Sequence, residues 1–325
     1  NDIVSGEQYR YALTNFRIAH EKVEQQRTQL EEQEKQVALL RARIATLEGT
    51  FTLSVPKAGA RHGGNSVDDF SIKNAASQLE RQINRWATDI LRTPPASLND
   101  IRDAAFTDLV GGTEFEHGDD ARPMLVQNLL RHLLAETISE AIINCLIVTS
   151  STEANIQLTR IHEHIFARDP TVASVWRRQT FSAAVDACSP EMSRAILEEH
   201  MPTLIELLSP ADSAPTPVFT AAAAVLESAY EFSRMLHGSP SSAGDTADAF
   251  YRSFVPELGS TLYPRQVELV KRCMRSERGE LDRVGATIFP GLVKVTRGPM
   301  TPGGRSADNM QTVVRRAQVI CECAL

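Results

Sequence analysis

Long apolar runs are missing from this chain. None approaches the ~18 consecutive apolar residues that a membrane span requires. The longest apolar patch, "AIINCLIV" at 141–148, is far too short. No charged-then-apolar leader follows Asn1, so the sequence reads as soluble and intracellular, most simply cytoplasmic. Its start at Asn1 and its last helical pattern, which reaches Leu325 without a stop signal, suggest a piece of a longer chain. Cysteine is scarce: five residues, an odd number without regular spacing, argue against a disulfide framework. Aromatic residues make up 6 % and nowhere interleave with basic ones as a platform for single-stranded nucleic acid would.

Signature motifs are missing as well. Neither G-x-x-x-x-G-K-[ST] nor G-x-G-x-x-G occurs, so no glycine-rich turn offers its backbone N–H groups to phosphates. "TPGGRS" (301–306) shares with such turns only two glycines and an arginine. The nucleophile elbow G-x-S-x-G is absent too. Nothing in the sequence assigns a catalytic, cofactor-binding or metal-binding residue, and the chain does not read as an enzyme. An enzyme with dispersed catalytic groups is the second alternative.

What is present begins with 42 % apolar residues, enough for a core. Charge is uneven. Residues 96–261 carry 10 Lys/Arg against 23 Asp/Glu, whereas residues 262–325 carry 11 against 6. A basic C-terminal region behind an acidic body could draw a polyanion, or could dock on its own acidic body.

The clearest pattern is a heptad repeat. Tyr9, Phe16, Val23, Leu30, Val37 and Ile44 recur every seventh residue, each followed three places on by Ala12, Ala19, Gln26, Gln33, Leu40 and Leu47. Such a and d positions predict a left-handed coiled coil over residues 7–48. A β-branched residue at a with leucine at d, as in Val37, Leu40, Ile44 and Leu47, favours a parallel dimer. Gly49 ends the helix.

Residues 49–67 read as a linker, and 68–325 as an irregular multi-helix domain. In it Ile72, Ala76, Leu79, Ile83, Trp86 and Ile90 set one apolar seam on a helix from Asp68 or Asp69 to about Leu91. Further helices are predicted at 98–110, 122–148, 151–167, from Asp169-Pro170 to 187, from Ser189-Pro190 to 208 with a break at Pro202, and at 218–236. The last are placed at 246–255, 263–276, 280–289 and 309–325, with "GLVKV" (291–295) as a possible extended piece. Ser150, three before Glu153, predicts a capping box. A sub-boundary falls at 209–217, and flexible loops at 238–245 and 297–309. The fold class is therefore mainly α, with an N-terminal coiled-coil helix.

Several stretches invite chemistry and are read otherwise. In "IHEHIFARD" (161–169), His162 and His164 sit ~200° apart on a helix, so they cannot share a metal; both read as a solvated helix face. The loop "GGTEFEHGDDARP" (111–123) lacks the spacing of a calcium loop. Cys145, Cys188 and Cys273 read as buried thiols, and Cys321-x-Cys323 supplies two soft ligands where a zinc site needs more. Paired arginines at 177–178 and 315–316 can flank apolar stripes or meet anionic partners. Arg315 and Arg316 are the candidate contacts for an anionic partner.

"FSRMLHG" (232–238), "FYRSFVPELGSTLYPRQVELVKRC" (250–273) and "ERGELDRVGATIFPGLVKV" (277–295) resemble helical proteins of mushroom-forming (basidiomycete) fungi that have no assigned function. The resemblance extends over most of residues 66–325 and implies no activity and no residue role. Together these features predict a coiled-coil scaffold or adaptor that pairs with itself as a parallel dimer, with another protein, or with both. A nucleic-acid-associated factor using the basic C-terminal region is the first alternative.

Overall fold

Helix boundaries in this chain follow local chemistry wherever a cap is encoded. The structure, a computed structural model, describes residues 69–111, 121–149, 151–184, 189–209, 216–238, 249–271, 282–298 and 309–324, together with 20, 22, 23, 25 and 26. It divides into two units, residues 1–63 and 64–325. In the first, the described positions are helical, and Val23 is exposed. The rest of the heptad seam (Tyr9, Phe16, Leu30, Val37, Leu40, Ile44 and Leu47), the predicted linker, and residues 239–245 and 299–308 of the two predicted flexible loops lie outside the described residues.

In the second unit, α1 (Asp69–Arg92) carries the seam that its periodicity predicts: Ile72, Ala76, Leu79, Ile83, Trp86 and Ile90 are each at most 2 % exposed. Helix α2 (Leu98–Val110) opens on Ser97, whose side chain accepts from Asp100 N, and closes on Gly111 at φ 72°, a left-handed cap that glycine adopts at little cost. Helix α3 (Pro123–Thr137) buries Leu129, Leu130, Leu133 and Leu134. It continues as a wide π-turn, Ile138–Ile143, closed by Asn144 N donating to Ser139 O at 2.9 Å. Helices α4 (Thr152–Arg168), α5 (Pro170–Ala183), α6 (Pro190–His200), α7 (Pro202–Leu208) and α8 (Pro217–Gly238) follow. Asp169 caps α5 through Thr171 N and Val172 N, and Ser189 caps α6 through Met192 N. For α4 the cap is Ser151 rather than Ser150, with Ala154 N as donor. The apolar face of α1 packs against α3 and α8, and Trp86 Nε1 donates to Val218 O at 3.2 Å.

The mainly-α expectation fails beyond residue 249. In the described parts of the four predicted helices the chain forms β1 (Phe250–Phe254), β2 (Val267–Lys271), β3 (Val284–Phe289), β5 (Asn309–Arg315) and β6 (Ala317–Cys321), with β4 (Gly291–Arg297) between β3 and β5. The fold is helical with two three-stranded sheets, β1-β4-β5 and β2-β6-β3. The first is antiparallel, with Phe250 opposite Val295 and Phe254 opposite Gly291. In the second, β2 runs parallel to β6 while β3 runs antiparallel to it. Strands β3 and β4 are separated only by Pro290, and β5 and β6 only by Arg316. Each pair is thus one extended run that leaves one sheet and enters the other.

The physical reasons for the error are visible in the residues. Every residue of β3 is buried, so its sequence lacks the apolar–polar alternation of a half-buried strand, and length cannot separate it from a short buried helix. In 309–325, Met310, Val314, Ala317 and Cys321 recur at helical spacing, yet Val313, Val314, Val319 and Ile320 are β-branched and prefer a pleated surface. The "GLVKV" piece is extended, as part of β4.

Side chains from the helical layer also meet one edge of each sheet. Strand β1 is an edge, and the Asn144 side chain pairs with it as a backbone would: Ser253 N donates to Asn144 Oδ1 at 2.9 Å, and Asn144 Nδ2 donates to Ser253 O at 3.1 Å. Strand β3 is one edge of the other sheet, and Thr287 N donates to His132 Nδ1, on α3, at 3.0 Å. Unpaired edge groups are a template for association; here two side chains occupy them.

Candidate functional site

Arg315 and Arg316 end up in different surroundings. Arg315 Nη2 donates to Glu80 Oε2 on α1 at 2.6 Å, its side chain only 10 % exposed, and its guanidinium lies over the Phe289 ring. Arg316 is half-exposed, near Glu268 at 3.4 Å and donating to Pro264 O at 3.3 Å. The basic region therefore spends one of these charges on α1 of its own unit.

His162 and His164 do point to different faces, but the solvated face belongs to His164 alone. His162 is 0 % exposed, set edge-on to Phe250 at 5.1 Å beside Phe166. It meets the buried guanidinium of Arg177 from α5, whose Nη1 lies 3.4 Å from His162 Nε2. Arg177 Nη2 also donates to Ala249 O at 3.1 Å, and its Nε to His237 O at 3.3 Å. His237, at the end of α8, sets Nε2 3.1 Å from Ile143 O. Because guanidinium only donates, His162 accepts at Nε2 and carries its proton on Nδ1; His237, facing a carbonyl, carries its proton on Nε2. Burial first, and the Arg177 charge second, push both histidines down to about 3. Burial also pulls Arg177 down to about 10. Carbonyl oxygens and one imidazole solvate this cation, and in doing so tie α4, α5, α8 and the entry to β1 together. The constellation is a buried clasp.

Outside the clasp, Ile161, His164, Ile165, Arg168, Asp169 and Val172 line a shallow groove of about 470 Å³ at the α4–α5 corner. Ile161 and Val172 are 45 % and 52 % exposed there. The Asp169 carboxylate is already engaged in capping α5. The groove can take an apolar side chain.

The residues with ligand chemistry meet elsewhere, at one end of the β2-β6-β3 sheet. Cys321 ends β6 opposite Val284 of β3. Carrying that antiparallel register two residues further sets Asp282 opposite Cys323, and Glu322 N donating to Arg283 O at 2.9 Å holds it. The 3₁₀ turn Glu322–Ala324 folds Cys323 back, so that the two sulfurs lie 3.5 Å apart. Cys323 Sγ donates to Asp282 Oδ2 at 3.0 Å. The three ligand atoms lie within 4.8 Å of one another, Asp282 and Cys321 buried and Cys323 exposed. Read in sequence, Cys321-x-Cys323 lacked a third ligand; Asp282 supplies it from 41 residues away from Cys323. Only the pairing of β3 with β6 could reveal that. Cys145, by contrast, is a half-buried thiol pushed up to about 11 by burial and then by Glu199 and Glu140, which makes it a poor nucleophile. Cys188 and Cys273 lie outside the described residues.

No helix among the described residues is long and apolar enough to cross a membrane. Comparison with protein-family models, with curated proteins and with solved structures finds no match.

Proposed function

We propose that the protein is a scaffold or adaptor that pairs with a second copy of itself through residues 7–48 and presents the 64–325 unit to a partner protein. One observation carries the reading: the seam of α1 is filled by α3 and α8 within its own unit. The apolar face that the periodicity of α1 predicts is thereby occupied within its own unit. A helix of ~40 residues is ~60 Å long, and an apolar stripe of that length calls for a partner. A second copy, with its own Val37, Leu40, Ile44 and Leu47 in register, matches that stripe most simply.

The α4–α5 groove is the partner surface on this reading, receiving an apolar side chain from another protein against Ile161 and Val172. The internal pairing of Arg315 with Glu80 favours a protein partner over nucleic acid. Light scattering after gel filtration tests the reading on the full chain and on its Leu40→Asn/Ile44→Asn/Leu47→Asn variant. The wild type is expected at twice 35.8 kDa and the variant at the monomer mass, with the same near-ultraviolet spectrum from the 64–325 unit. A dimer that survives these substitutions, or a monomeric wild type, overturns it.

A further inference from the structure

The geometry points to a zinc site formed by Asp282, Cys321 and Cys323, the three ligands that the described residues supply. A tetrahedral Zn²⁺ with Zn–S bonds of ~2.3 Å and a Zn–O bond of ~2.1 Å spaces two sulfurs ~3.8 Å apart and each sulfur ~3.6 Å from the carboxylate oxygen. The sulfurs here stand 3.5 Å apart and Cys323 Sγ stands 3.0 Å from Asp282 Oδ2, with no edge of the triangle above 4.8 Å. Movements of well under a bond length bring three ligands to one metal. Two thiolates with a carboxylate form a mixed soft and hard set, which suits zinc better than the hard, oxygen-loving Mg²⁺ or Ca²⁺.

The support around the ligands fits a built site. Asp282 is 7 % exposed and Cys321 0 %, so both are positioned by packing rather than by solvent. Asp282 Oδ1 accepts from Arg283 N at 2.8 Å, which fixes the carboxylate and turns Oδ2 toward the sulfurs, the orienting role that outer-shell hydrogen bonds play in metal sites. The Arg283 guanidinium is drawn off to Gly259 O at 3.1 Å. Cys323 is the exposed member, which leaves an entry path.

Binding is balanced by proton release. Zn²⁺ displaces the Cys323 proton that now points at Asp282 and the Cys321 proton, so two protons leave for each metal bound and affinity rises with pH. The site then holds two thiolates, one carboxylate and a dication, a net charge of −1 before water adds to it. Nothing in this inference depends on the oligomeric state proposed above.

The test is titration of the reduced full chain, under nitrogen, with Co²⁺ as a spectroscopic probe and with Zn²⁺ against a chromophoric chelator. The expected result is one equivalent of Co²⁺ giving sulfur-to-cobalt charge transfer and the intense visible bands of a tetrahedral site, displaced by Zn²⁺. Cys323→Ser, an exposed position that leaves the core intact, should weaken Zn²⁺ by more than about 100-fold, beyond the loss of an outer-shell partner. Asp282→Asn should weaken it by at least about tenfold, and Cys145→Ser should leave it unchanged. No uptake by the wild type, or undiminished uptake by Cys323→Ser, overturns the site. Failure to bind metal together with loss of two hydrogens on air oxidation would assign the pair to a Cys321–Cys323 disulfide instead.

Discussion

Three buried histidines make the stability of the 64–325 unit depend on pH in a direction the structure dictates. His132, His162 and His237 are 3 %, 0 % and 0 % exposed. Burial pushes them down from 6.5 to about 4, about 3 and about 3. In the unfolded chain each returns to its ordinary value. The folded pKa lies below the unfolded one, so the unfolded state binds more protons as pH falls; the stability is fully present above 6.5 and drains away below it. At about pH 5 each histidine has lost roughly 1.5 pH units of linkage at ~1.36 kcal/mol per unit, about 2 kcal/mol. Three together remove ~6 kcal/mol, a large share of the ~5–15 kcal/mol that a domain possesses. Glu136 works the other way: burial and then Glu140 raise its pKa, so its contribution is kept at low pH and lost as pH rises. Urea denaturation followed by circular dichroism between about pH 7.5 and 5 measures the sum. His237→Gln, which keeps a donor near Ile143 O, isolates one component. The wild-type slope should approach ~4 kcal/mol per pH unit below pH 6, and the variant should lose about a third of it. A flat wild-type profile, or equal slopes in both proteins, would refute the linkage argument.

Two further substitutions probe the sheets. Asn144→Ala strips Ser253 of partners for both its N–H and its C=O; a loss of about 2 kcal/mol is expected, read as a lower urea midpoint at unchanged slope. Gly291→Ala places a methyl inside the ring of Phe254, packed against Gly291 across the β1–β4 pair. It should cost about 1–3 kcal/mol, seen as a lower melting temperature, and a neutral result would mean that the ring turns aside freely.

What the sequence disclosed, and what it withheld, divides along the range of the forces involved. Asp169-Pro170, Ser189-Pro190 and Gly111 act within a turn, and each ends or starts a helix where it should. The seam of α1 is a periodicity of a single element and was equally legible. The Ser150 assignment missed by one residue because two adjacent serines compete for one cap and the backbone at Ser151 takes it. Strands β1 to β6 depend on partners tens of residues away. Two of their signals, the helical spacing in β5–β6 and the missing alternation in β3, imitate helix. The thiol–carboxylate cluster was illegible for the same reason, since Asp282 joins Cys321 and Cys323 only through β3–β6 pairing. His162 looked solvated because its burial is imposed by Arg177 and Phe250, neither of which is on its own helix.

The strand order of the second sheet also sets a timetable for synthesis. Strand β6 lies between β2 and β3, so neither has a neighbour until residues 317–321 leave the ribosome. The helices from α1 to α8 precede them and can collapse early on local contacts. The Val267–Ala317 pairing must wait for a loop of some fifty residues to close, the kind of contact that slows folding. During that interval β2 and β3 lack the backbone partners that β6 supplies, and Val267 and Val284 lack Ala317 and Val319, the apolar residues they cluster with. A nascent chain stalled there should be the form most in need of a chaperone.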